Sequence, residues 1–203
     1  MTPSMPTLKS AVKAFLAAVP PQAGITLAAF NDSVVDVATA ATAPAERTAR
    51  VDALAAQGAT RLYDVIVHGI ETLQDGRGRK AVVVFTDGED EGSRVSLADV
   101  ERRLESSDVT LYMIGQGRGT QLETLQKVMK ELVKPTGGRA IFTKDIGDLG
   151  DAFRELLEEL SHQYLVAYTP TDTRRDGRWR RIKVTVDGGH RVRTREGYRL
   201  TAE

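Results

Sequence analysis

VVVFTDGEDEG, residues 82–92, runs four apolar residues into a threonine and then straight into acids and glycines. A short continuous apolar run is what a strand needs when helices cover both faces of a parallel sheet. Its abrupt polar end marks the carboxyl end of that strand, where open α/β sheets gather their binding loops. Asp87 stands at that end, and Gly88 behind it lets the backbone turn sharply. The carboxylate is placed to hold a cation or polarise water, although a plain strand-end turn with a helix cap has the same signature.

The flanking sequence supplies the rest of the sheet. Leu8, Val12, Phe15, Leu16 and Val19 recur at helical spacing until Pro20-Pro21 ends the pattern. GITLAAF and VVDVAT, around the turn formers Asn31, Asp32 and Ser33, predict a hairpin. The segment from Ala43 to Gly58 is helix-prone, and Leu62, Val65, Ile66, Gly69, Ile70 and Leu73 mark the face of the next helix, with Thr60 at its start. Beyond the central strand, Ser96 and Asp99 have capping-box spacing for another helix, and VTLYMIG predicts a second buried strand. A helix over 122–133 and the turn PTGG lead to the short strand RAIFT. The last helix, capped by Asp145, ends near Gln163.

Strands and helices alternating at these lengths predict an α/β, Rossmann-like, doubly wound and mostly parallel sheet over residues 1–163. Residues 164–203 change character. YLVAYTP, WRRIKVTVDGG and HRVRTREGYRL alternate like strands between turn signals and predict a C-terminal antiparallel β extension on the same domain.

Composition narrows the function. The chain has 203 residues, 41% hydrophobic and 28% charged, which suits one generous core. Lys plus Arg equal Asp plus Glu at 28 each, so no overall field selects nucleic acid or an anionic membrane. No apolar run approaches the roughly 18 residues of a membrane span, and the first residues lack a signal-peptide pattern. Cysteine is absent, which excludes disulfides, thiolate zinc sites and a cysteine nucleophile. His68, His162 and His190 are scattered, without the close pairing of a zinc helix. Trp179 among Arg178, Arg180 and Arg181 fits a strand whose arginine stems cover apolar surface better than a nucleic-acid patch. GQGRGT, from Gly115, lacks the third glycine and downstream acid of a dinucleotide fingerprint and is expected to be a loop beside the site. DGEDEG lacks calcium-loop spacing, so Glu89, Asp90 and Glu91 are expected to form a solvated acidic rim.

Other oxygen donors are available to Asp87. Thr60 can present its hydroxyl to the same crevice, and Thr2 and Ser4, two residues apart before the first helix, can point to one side of a loop. Hydroxyl and carboxylate oxygens without sulfur or imidazole suit a hard cation such as magnesium, manganese or calcium. In that order along the chain, PSMPTLKSAVKAF, GATRLYDVI and KAVVVFTDGED resemble the von Willebrand factor type A domain. HQYLVAYTPTDTRRDGRWRRIKVTV with VRTREGYR resembles the tail of bacterial proteins described as VWFA-related, many of them acidobacterial.

The resemblance implies a metal-ion-dependent adhesion site (MIDAS) made of an Asp-x-Ser-x-Ser loop, a distant Thr and a distant Asp. Ser4 matches the last loop serine, Thr2 occupies the middle position, Thr60 is the distant threonine and Asp87 the distant aspartate. The leading aspartate has no counterpart and would fall one residue before Met1, together with the apolar central strand ahead of it. Met1 is accordingly expected to be an internal methionine of a longer natural chain, the alternative being a sheet that closes up or borrows a strand. Without that aspartate, Mg2+ or Mn2+ is expected to bind weakly or not at all.

What the resemblance implies about function is a non-enzymatic, adhesion-type binding module in which an acidic side chain of a protein partner completes the coordination of the cation. Neither nucleic acid nor membrane insertion is expected. Two other functions compete with it. A metal-dependent phosphoester hydrolase would need a nucleophile or general base near Asp87, and the sequence offers no His or Lys companion there. A structural or assembly domain would use its strand edges and no metal. Unpaired edges also predict self-association. Relatives of this kind are often exported, so the resemblance points to an exported or cell-envelope protein.

Overall fold

A computed structural model describes residues 5–55, 58–116, 120–190 and 192–200. Helix α1 (Met5–Ala18) precedes a hairpin of β1 (Leu27–Phe30) and β2 (Val34–Ala38). Helices α2 (Pro44–Ala53) and α3 (Leu62–Thr72) follow, then β3 (Ala81–Thr86), α4 (Leu97–Ser106), β4 (Thr110–Gln116), α5 (Thr120–Val133), β5 (Arg139–Thr143) and α6 (Leu149–Ser161). Two short strands, β6 (Trp179–Arg181) and β7 (Gly197–Arg199), close the described chain. The fold is α/β: a parallel three-stranded sheet in the order β3-β4-β5, flanked by helices, with a small C-terminal antiparallel pair.

The pleat of β3 divides the core in two. Val82 and Val84 turn to a cluster that includes Leu62, Ile66, Leu104, Leu111, Met113 and Met129, under α3, α4 and α5. Ala81, Val83 and Phe85 turn to the opposite cluster, where Tyr112, Ile114 and Ile141 meet α1 and α6. Strand β4, buried from Leu111 to Gly115, is covered on both faces, which is why VTLYMIG carries no polar alternation. Helix α6 buries Leu149, Ala152, Phe153 and Leu156, spaced three or four apart, and each large side chain in such a stripe contributes about 1.5–3 kcal/mol. Ser96 and Asp99 form the expected capping box at the start of α4.

Three local expectations change. Helix α2 ends at Ala53 and not at Gly58, its last turn giving way to an extended Leu54. Asp145 opens a short 3₁₀ turn, Ile146–Asp148, and α6 starts only at Leu149. Among the described residues of the predicted C-terminal extension, only β6 and β7 pair, in the register Trp179 to Arg199. Gly197 admits no side chain there, because a Cβ would lie 2.6 Å from the Trp179 ring. The pair is tied to α4 by Arg199, whose Nε donates to Glu105 Oε2 at 2.5 Å.

The sheet is also divided. Strands β1 and β2 pair only with each other, antiparallel, and among the described residues no strand bonds to the outer edge of β3. Helix α3 touches both the hairpin and β3, and Phe30 and Val34 pack against the same apolar cluster as Val82 and Val84. The hairpin and β3 thus share a core without sharing a ladder.

Candidate functional site

The carboxyl end of β3 is shaped by its own last residue. Thr86 is buried, its Oγ1 accepts from Gly88 N at 3.2 Å, and it donates to Gly88 O at 2.9 Å. The turn leaves Asp87 exposed beyond the strand. Thr60 arrives from the loop before α3: its Oγ1 lies 3.4 Å from where a Cβ on Gly88 would stand, and its carbonyl accepts from Glu91 N at 2.8 Å. Thr60 and Asp87, 27 residues apart in the sequence, therefore share one crest. Thr2 and Ser4, and residues 117–119 of the GQGRGT loop, lie outside the described residues.

A reciprocal clamp holds the crest. Ser93 Oγ accepts from Tyr63 N and Asp64 N, each at 3.0 Å, and Asp90 Oδ1 accepts from Tyr63 N at 3.1 Å. Ser93 Oγ donates in turn to Asp90 Oδ1. These bonds satisfy donors at the first turn of α3, which has no side-chain cap from its own N-cap residue, Arg61. In the other direction, Asp64 Oδ1 accepts from Arg94 N at 2.9 Å and Val95 N at 3.2 Å. At the hairpin turn, Asp32 Oδ1 accepts from Ala59 N at 2.9 Å. Gly58, with φ +82°, approaches the Asp32 carboxylate so closely that a side chain there would strike it.

Asp90 is thus not the solvated rim residue expected from its neighbours. It is half-buried and bonded to backbone, whereas Glu89 and Glu91 remain exposed. The sequence contains the local half of this arrangement, because an aspartate three residues before a serine can close on it, and Asp90 Oδ2 accepts from Ser93 N at 3.2 Å. The bonds to Tyr63 and Asp64 span some 30 positions and carry no local signal. Burial, reinforced by the charges of Asp90 and Glu89, raises the Tyr63 phenol above its ordinary pKa.

The described donors fit a hard cation in kind: a hydroxyl at Thr60 and a carboxylate at Asp87. In number they are a partial set, since among the described residues no three acids or histidines gather closely enough to hold a metal. The histidines lie elsewhere. His68 Nε2 is 2.8 Å from Asp36 Oδ1 beside the hairpin, His162 Nδ1 is 2.7 Å from Glu158 O at the far end of α6, and His190 follows the glycine turn at Gly188 and Gly189.

A parallel α/β sheet with a threonine and an aspartate meeting at its carboxyl crest defines a class of domain, and comparison with known proteins identifies it. The chain belongs to the von Willebrand factor type A (VWA) domain family, whose profile matches residues 3–155. It is similar in fold to a von Willebrand factor type A protein from Catenulispora acidiphila, with 22% identity and a TM-score of 0.62 over 75% of this chain and 37% of that one. It is similar also to proximal thread matrix protein 1 of the mussel byssus, in a structure with a zinc-occupied MIDAS motif; identity is 14% and the TM-score 0.61, over 76% of this chain and 42% of that one. The SpRpn10 VWA domain matches at 14% identity with a TM-score of 0.55, over 72% of this chain and 82% of that domain. At these identities the likeness is one of fold. The chain spans less than half the length of the first two proteins. No curated protein matches it in sequence.

Proposed function

We propose that the chain is a non-enzymatic, protein-binding VWA module whose crest offers a site for Mg2+ or Mn2+. The observation that carries this is the meeting of Thr60 with the Asp87–Gly88 turn at the carboxyl end of β3. Thr60 supplies a hydroxyl oxygen, Asp87 a carboxylate that acts directly or through water, and Thr2 and Ser4 are the remaining oxygen donors by family resemblance. The cation keeps a position open, and an acidic side chain of a protein partner fills it. Binding then depends on an acid reaching the right depth.

The placement of the three histidines away from the crest supports binding over hydrolysis, because a hydrolase needs a general base within reach of the reacting water. The mussel protein, in a structure with zinc in its MIDAS motif, supports a divalent metal as the ligand.

Thermal unfolding in chelator and in increasing Mg2+ or Mn2+ tests the proposal. At about ten times Kd, one site adds roughly 1.4 kcal/mol, so the melting temperature should rise at millimolar metal and Asp87→Ala should abolish the rise. A rise that persists in Asp87→Ala would place the cation elsewhere. No rise in either protein would leave a VWA scaffold without metal chemistry.

A further inference from the structure

We propose that the cleft between the end of α5, the start of β5 and the C-terminal extension is a docking groove for an extended, acidic segment of a protein partner. It opens where the amino end of β5 lies, at the foot of the sheet and therefore at the opposite end from the crest. Its volume is about 480 Å³, within the range of ligand sites. The apolar part of the lining is Val133, Ala140, Ile182, Val184 and Val192. Val184 and Val192 are 41% and 37% exposed, so the groove keeps apolar surface that nothing in the described chain covers fully.

Two arms of the extension frame it. Strands β6 and β7 pair from Trp179 to Arg181, and one further bond, Ile182 N to Glu196 O at 2.9 Å, closes the pair. Beyond that bond, among the described residues, segments 183–186 and 192–195 join no ladder. The arms are nevertheless held in place. Gly137, at φ +74°, lies so close to the backbone of Thr194 and Arg195 that a Cβ there would overlap it. Arg193 Nη2 is 2.6 Å from Glu159 Oε2 on α6, and Arg195 Nη2 donates to Leu104 O at 3.4 Å. Backbone outside any ladder, set beside apolar side chains on a fixed frame, suits the addition of an extended segment.

Charge selects the partner. Lys130, Lys134 and Lys183 line the cleft together with Arg139, Arg193 and Arg195, against Glu196. The arginines are already engaged: Arg139 and Arg193 pair with Glu155 and Glu159, and Arg195 donates to Leu104 O and Gly197 O. Lys134 Nζ stands 3.6 Å from Glu196 Oε1. Among the described residues Lys130 and Lys183 join no ion pair, and Lys130 Nζ lies 5.4 Å from the centroid of the Phe142 ring. Exposed lysines beside an apolar lining favour a segment that alternates carboxylates with apolar side chains, because an extended chain presents the two kinds to opposite sides. A nucleic acid would find no aromatic side chain in the lining on which to stack, and a flat bilayer does not enter a cleft. This inference rests neither on the crest nor on metal.

The test is an NMR titration of the isotope-labelled full chain, in chelator, with a synthetic octapeptide of alternating valine and glutamate. The amides of Ala140, Val184 and Val192 should shift, while those of Gly88 and Glu91 at the crest should not. A serine–glutamate octapeptide, equal in charge, should bind several-fold more weakly, and a valine–lysine one should not bind. Lys130→Glu combined with Lys183→Glu should weaken the valine–glutamate peptide by about tenfold, since two exposed ion pairs are lost and two repulsions gained. Both lysines are exposed, so the circular dichroism spectrum and melting temperature should stay as in wild type. Arg77→Glu, a charge reversal at an exposed position before β3, should bind as wild type does. No shift at the highest soluble peptide concentration would overturn the proposal, as would shifts confined to the crest or an equal loss in Arg77→Glu. Tighter binding of a single-stranded oligonucleotide or of phosphatidylglycerol vesicles, lost in the same lysine variant, would assign the groove to nucleic acid or lipid and overturn it equally.

Discussion

Gly138→Ala is expected to destabilise the fold severely, although it adds a single methyl group. Gly138 lies where the chain enters β5, and its neighbour Arg139 pairs with Tyr112 in the register of β4. A Cβ at Gly138 would overlap the carbonyl oxygen of Leu111 and lie 2.7 Å from its carbonyl carbon. Both obstacles are backbone, so no rotamer change relieves them. Beside this contact, Thr136 is buried, and its Oγ1 accepts from Leu111 N at 3.1 Å and Gly138 N at 3.2 Å while donating to Val133 O at 2.7 Å. Pushing β5 away from β4 would break this node as well as the start of the ladder. The combined cost should exceed roughly 4 kcal/mol, a large share of the 5–15 kcal/mol that holds a typical domain together. Chemical denaturation of soluble protein measures it, with Gly147→Ala as the control, since nothing lies within 4 Å of a Cβ at Gly147. A Gly138→Ala protein that unfolds cooperatively at the wild-type midpoint would show that β5 is not held to β4 as described.

This node shows where sequence stops informing. PTGG reads as a turn because of its composition, and the turn is there, with Gly137 at φ +74°. Nothing in those four letters says that the threonine hydroxyl serves the strand 25 residues earlier. The same limit separates the two halves of the crest. Asp87 is legible because an apolar run ending in an acid describes a buried strand and its exit, and Thr60 because it precedes a periodic helix. Asp64 and Asp90 look like ordinary exposed acids, since their partners are backbone groups some 30 residues away. Tyr164–Tyr168 fails differently: its pattern is that of a strand, but a strand exists only through a partner, and within one chain the described structure supplies none. Thr2 and Ser4 lie outside the described residues, so their place in the constellation rests on the family resemblance.

Asp64→Ala is expected to loosen the crest and cost about 2–4 kcal/mol, because it removes the acceptor from two backbone N–H groups at once. Its Oδ1 is the partner of Arg94 N and Val95 N, and its Oδ2 lies 3.4 Å from Arg61 Nη1. The side chain is only 14% exposed, so water replaces these bonds poorly. Asp64→Asn keeps a carbonyl oxygen in place and should lose less than half as much. The loop from Gly88 to Val95 is also attached through Asp90 and Ser93 onto the start of α3 and through Glu91 N to Thr60 O, so it should remain attached but open more often. Limited proteolysis should then cut between residues 88 and 95 faster in Asp64→Ala than in wild type, under conditions where both proteins remain folded. If the crest is the cation site, the metal-dependent rise in melting temperature should shrink in parallel, although Asp64 donates nothing to the metal. Thermal loss with unchanged cleavage would mean that Asp64 stabilises α3 alone. Faster cleavage with an undiminished metal response would separate the loop from the site, leaving Thr60 and Asp87 to hold the cation without the clamp.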